Sequence, residues 1–305
     1  MDSDNDVSRG SSEEEIRFPN GDRVIGSTYR NSEFPSGKGE FFSGTTGDVI
    51  DGEFINGAAQ GIGSMSRPNG DRFDGKFSGQ NFENGVYSFA SNQYQQKAVR
   101  FRGTFRENLP NGVGALEFTN GDIYEGSFDN GRPHGTGRYA SASGDIIAGL
   151  FEDGRPVKGM KLSAAGHKYL GEFHPIRGGA LYHGLGKLEF SNGDWYEGSF
   201  VDGYFSGEGI YVFADGLSVS CLTWVNDEPV GHTEVSLPDG SSFQGSFFSD
   251  RRRLTEGYGM LKFSDGSWFE SRNFVKTSVI PTDYDGGAFY YNRKLESRSC
   301  CLSSY

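Results

Sequence analysis

Five histidines, His134, His167, His174, His183 and His232, have the widest chemical reach of any residues in this sequence. A neutral imidazole can ligate a metal or move a proton near neutral pH. A metal site, however, needs ligands that converge with tight geometry. His134 and His183 occupy the same slot, directly before a glycine of a recurring phrase. Side chains in equivalent slots of a repeat fall on successive rungs instead of around one point. The histidines are therefore expected to be structural, with no metal and no other cofactor. No Ser/His/Asp or Cys/His set can be picked out by spacing, so no catalytic residue is named and the chain reads as a non-enzyme. Gly184-Leu185-Gly186-Lys187 lacks the spacing of a phosphate loop and leads into no helix, which leaves it a repeat glycine pair. Asp2, Asp4 and Asp6 with Glu13 echo a calcium loop, but Val7 stands where that loop needs Gly, so a solvated acidic segment is expected.

Binding is better represented than catalysis. Phe73, Phe101, Tyr124, Tyr169, Tyr196, Phe243 and Phe269 each stand two residues before a recurring glycine or its replacement. Rings in such a row pack over neighbouring glycines, and a single twisted sheet has too little interior to cover all of them. Those left accessible are expected to form a partner-binding groove. Trp195 and Trp268 fall on the opposite face and offer a second contact. Lys158, Lys161 and Lys168 with Arg251, Arg252 and Arg253 are the candidate contacts for phospholipid headgroups, the alternative partner. Cys300 and Cys301, beside basic residues, permit S-acylation.

What positions these residues is a repeat. Asn120-Gly121-Asp122-Ile123-Tyr124-Glu125-Gly126-Ser127-Phe128 returns almost unchanged as Asn192-Gly193-Asp194-Trp195-Tyr196-Glu197-Gly198-Ser199-Phe200. Each copy is preceded by a Gly-x-Gly stretch, Gly112-Val113-Gly114 and Gly184-Leu185-Gly186. The glycine after the aromatic recurs at Gly26, Gly52, Gly75, Gly103, Gly126, Gly149, Gly171, Gly198 and Gly245, with Cys221 and Ser271 in the same slot of two degenerate copies. Most steps are 22 to 24 residues, and longer ones mark insertions near residues 27–36, 90–98, 174–181 and 248–256. Tyr124, Gly126 and Phe128 share one face by period-two alternation, and glycine turns close each hairpin. The Gly-x-Gly stretch leaves room for rings from the paired strand. No segment keeps the i, i+3, i+4, i+7 spacing of a helix. The expected fold is all-β: an elongated, twisted solenoid of about eleven stacked antiparallel hairpins, on the order of 100 Å long. It should run over residues 17–275, after an acidic disordered tail at 1–16 and before a C-terminal cap or docking tail at 276–305.

Composition agrees. The 305 residues include 47 glycines, and aromatics make up 14%. The net charge of −12 excludes nucleic acid as an expected partner and disfavours anionic membranes. No apolar run is long enough to span a bilayer, and no secretory signal is apparent. Three cysteines fit a reducing compartment better than a disulfide framework.

The phrase Tyr-Glu-Gly-x-Phe, then Gly, His-Gly-x-Gly and Asn-Gly-Asp, resembles the MORN (membrane occupation and recognition nexus) repeat. Residues 122–137 carry nearly all of it, including Tyr124-Glu125-Gly126, Gly131 and His134-Gly135-Thr136-Gly137. Ala148 for Glu, and Cys221 and Ser271 for Gly, depart from it. In junctophilins, radial-spoke head proteins of cilia and some kinases, such repeats act as docking or oligomerisation elements. The resemblance therefore implies a non-catalytic scaffold in a cytoplasmic cytoskeletal or ciliary and flagellar assembly, axonemal and radial-spoke-like. It also implies other proteins as partners and homodimerisation as one mode of assembly.

Overall fold

Short runs of period-two alternation bounded by glycine turns can satisfy their backbone groups only by pairing with neighbours. The computed structural model describes residues 14–26, 36–79, 81–90, 98–174, 180–249 and 254–275, and in these the runs pair as expected. Among the described residues there are twenty-three strands, paired antiparallel within each part of the chain, and no helix. The expected all-β succession of hairpins is present. Strand Glu14–Arg17 pairs with Arg23–Gly26, so pairing begins three residues before the repeat boundary at 17. Much of each insertion, residues 27–35, 91–97, 175–179 and 250–253, lies outside the described residues, as do 1–13 and 276–305.

The chain divides into two units, Met1–Arg155 and Pro156–Tyr305. Within the first, successive strands pair from Glu14–Arg17 to Ile146–Glu152. Within the second they pair up to Trp268–Val275, and Ser218–Val225 pairs with both Glu228–Pro229 and Gly231–Ser236.

Two kinds of turn alternate. Asn130-Gly131 and Asp202-Gly203 have two consecutive residues at positive φ, as a two-residue type I′ hairpin requires. The other kind is the Asn-Gly-Asp turn, and its aspartate reaches beyond its own hairpin. Asp194 Oδ1 accepts the Ala214 amide at 2.8 Å and Oδ2 accepts the Tyr211 hydroxyl at 2.8 Å. Asp71 binds Ala90 and Tyr87 in the same way, and Asp122 binds Ala142 and Tyr139. The turns are thereby fastened one to the next. His167 stands in this aspartate slot, and its Nδ1 accepts the Ser191 amide at 3.1 Å.

The core is the ring face. Tyr196 lies flat against Phe205, with ring centroids 3.7 Å apart, and meets Phe200 and Trp224 edge-on. Tyr169 stacks on Tyr182 and Phe73 on Phe82 with the same geometry. The two glycines of a Gly-x-Gly stretch have different tasks here. Gly207 has φ +62°, which favours a residue without a Cβ, whereas a Cβ on Gly209 would lie 2.5 Å from Tyr196 Cζ.

Candidate functional site

A ring over paired glycines is one volume-filling device, and it fails in an instructive way where the ring is absent. In the degenerate copy the ring slot holds Val219, and the Gly–Gly pair becomes Cys221 opposite Thr233, both buried. The smaller side chain leaves room for a thiol and a methyl. Ala148 changes none of this, because it sits on the other face from Ile147 and Gly149.

At the start of the chain the ring slot holds Val24 and Ile50, and here the volume is not refilled. A groove of about 510 Å³ opens, lined by Phe18, Phe41, Ile50, Met65 and Phe82 with Asp22, Asp48 and Arg67 among its polar groups. Arg67 is anchored: it donates to the Tyr87 hydroxyl at 2.9 Å and faces Asp48 at 4.0 Å. Tyr87 in turn donates to Asp71. Burial opposes ionisation of the Asp71 carboxyl. The Ala90 amide, Tyr87, Asn69 and the Arg67 charge outweigh it and hold the group below its usual value. The groove therefore has an apolar floor and a fixed charged edge, suited to an extended segment carrying apolar side chains.

The expected groove of exposed rings is corrected. Phe73, Phe101, Tyr124, Tyr169 and Tyr196 are at most 1% exposed, so they are core. Each is covered by the phenylalanine four residues later and by a ring of the following hairpin, as Tyr124 is by Phe128 and Phe151. Burial pushes the Tyr124 hydroxyl up to about 12. Phe243 and Trp195 are half-buried, and Lys187 covers Trp195 at 4.4 Å from its ring centroid. Trp268 is 64% exposed, and the side chain of Phe269 lies outside the described set.

The candidate lipid contacts do not form one patch. Lys158 and Lys168 share a face and stand near carboxylates, Lys158 at 3.9 Å from Glu172 and Lys168 at 3.5 Å from Glu189. Lys161 lies opposite Tyr169 on the ring face, above Tyr182. Alternation along the strands separates them. Arg251, Arg252, Arg253, Cys300 and Cys301 lie outside the described residues.

The expectation that no histidines converge is also corrected. His174, His183 and Asp202 place one potential ligand atom each within 4.8 Å of one another. His183 shares its repeat slot with His134, but its neighbour in space is His174, from the other end of an insertion. Only the insertion length at residues 174–181 could have signalled this.

A family model described as "MORN repeat" matches residues 51–72, 101–123, 124–146, 181–195 and 196–218. No curated protein matches the chain. Among solved structures, the wild-type TCP10 domain of Danio rerio CPAP is 13% identical with a TM-score of 0.24, covering 85% of this chain and 99% of that one. A mutant of that domain is 12% identical with a TM-score of 0.21 and the same coverage. At such scores the likeness carries no argument.

Proposed function

From a chain that carries MORN repeats at five segments, we propose a non-catalytic scaffold that docks other proteins within a larger cytoskeletal assembly. A ciliary or flagellar axoneme, with radial-spoke-like docking, is the finer form of the proposal. Homodimerisation and a cytoplasmic location belong to it as well. The observation that carries the reading is the groove over Val24 and Ile50. In most other copies the ring slot is filled by the protein's own aromatics, and beside these two aliphatic slots Phe18, Phe41, Met65 and Phe82 line open space for a partner. The alternative, a peripheral membrane tether, is weakened because Lys158 and Lys168 already face Glu172 and Glu189.

Cross-linking mass spectrometry in the native cell tests the proposal. A recurrent set of protein partners should cross-link to Lys38 or Lys76, on strands beside the groove, and fractionate with the detergent-insoluble cytoskeleton. Ile50→Trp should diminish that set. A wholly soluble chain without recurrent partners would count against the scaffold. Partners unaffected by Ile50→Trp would place docking elsewhere.

A further inference from the structure

Strand Lys168–Phe173 is followed by His174, whose amide donates to the Leu181 carbonyl at 2.9 Å and so brings the two ends of the insertion together. Strand Tyr182–Glu189 then begins, with His183 at its second position. The next type I′ turn is held against the same strand, because the Gly203 amide donates to the Tyr182 carbonyl at 2.8 Å. That bond fixes Asp202 beside His183. The His174 and His183 ring centroids are 4.9 Å apart at 81°, and His174 Nε2 lies 3.6 Å from Asp202 Oδ1. His183 Nδ1 is buried and has no hydrogen-bond partner among the described residues. Buried ring nitrogens are nearly always satisfied, so an unpartnered one on a ring that lies beside a second imidazole and a carboxylate calls for a ligand.

We propose that His174, His183 and Asp202 bind a divalent transition metal of the zinc class. Two imidazoles and one carboxylate suit such an ion, whereas magnesium and calcium take six or more ligands, chiefly oxygen. Tetrahedral zinc with bonds of about 2.0–2.1 Å sets its ligands roughly 3.3 Å apart. Small rotations of three half-buried side chains close the remaining distance. Residues 175–179, Pro-Ile-Arg-Gly-Gly, supply no further ligand by type, which leaves the fourth position to water. The metal ties both ends of the insertion to the turn of the next hairpin. Its task is to staple the second unit, and no chemistry on a substrate is assigned to it.

The test uses the untagged full chain, stripped with a chelator and titrated with Zn²⁺ by calorimetry. Co²⁺ serves as an absorbing probe. One equivalent of Zn²⁺ should bind and raise the melting temperature, and Co²⁺ should show tetrahedral visible bands. Loss of an outer-shell group weakens metal sites about 10–100-fold, so loss of a ligand in His183→Gln or Asp202→Asn should weaken binding by at least that much. His134→Gln should leave it unchanged. Asp202→Asn keeps a residue type that tolerates positive φ, so it decides the matter if His183→Gln does not fold. Binding well below one equivalent, or binding equal in wild type and Asp202→Asn, would overturn the proposal.

Discussion

The hairpins around Tyr196 and those around Val24 and Ile50 use the same backbone plan with opposite results. At Tyr196 the ring sits over Gly198 and Gly209, stacks on Phe205 and is closed at its edge by Trp224. At Ile50 the slot is aliphatic, and a Cβ on Gly52 would find only ordinary contacts, Gly63 Cα at 3.4 Å and the Ile62 carbonyl at 3.6 Å. Gly52 alone of these glycines has room: a Cβ on Gly26, Gly39 or Gly63 would lie 2.4–2.5 Å from a carbonyl of the paired strand, so there the close backbone, and not a ring, requires glycine. Where the ring is absent the slot is otherwise filled by larger residues, as at Cys221 and Thr233, or borders the groove, as at Val24 and Ile50.

Truncating the ring should break the comparison most sharply. Tyr196→Ala removes a fully buried ring from a stack and should cost about 3–5 kcal/mol in chemical denaturation, whereas Val24→Ala beside the open groove should cost about 1 kcal/mol. Adding one methyl tests the same contrast from the other side. Gly209→Ala should lose about 2–3 kcal/mol because its Cβ enters the Tyr196 ring, while Gly52→Ala should change stability by less than about 1 kcal/mol.

A third test concerns the turns. Asn108 Oδ1 accepts the Phe82 amide at 2.8 Å, and Asp227 Oδ1 accepts the Phe205 amide at 2.7 Å in the equivalent place. Burial pushes the Asp227 carboxyl up to about 6, with the Phe205 amide opposing and Glu228 adding to the rise. A raised folded pKa means that the group's contribution is fully present below about 3.8 and is lost as pH rises through about 6. Asp227→Asn keeps the acceptor and removes the charge. It should flatten the stability profile between pH 4 and 6 and stabilise the chain at pH 7 by on the order of 2 kcal/mol, read from melts across pH. The smallest effect is expected of Ile50→Phe, which adds a ring where space exists. Stability should move by less than about 1 kcal/mol while partner capture falls.

Much of this protein is written in its local sequence. A period of 22 to 24 residues, period-two alternation and glycine turns determined the strands and their pairing, because a hairpin is decided by residues within its own length. The identity of the ring slot and its glycines was equally legible, since both lie within one copy of the phrase.

What only the tertiary structure decided involves contacts between copies. Exposure of the rings depended on the Phe of the same copy and the rings of the next, and those together closed the face that alternation alone left open. The aspartate fastening joins residues some 20 positions apart, as Asp194 does with Ala214. The meeting of His174, His183 and Asp202 depended on the pairing of the insertion's two ends and on a turn from the following hairpin. Sequence period determines which residues are equivalent; packing determines which are neighbours, because side chains meet through space and not through position in a motif.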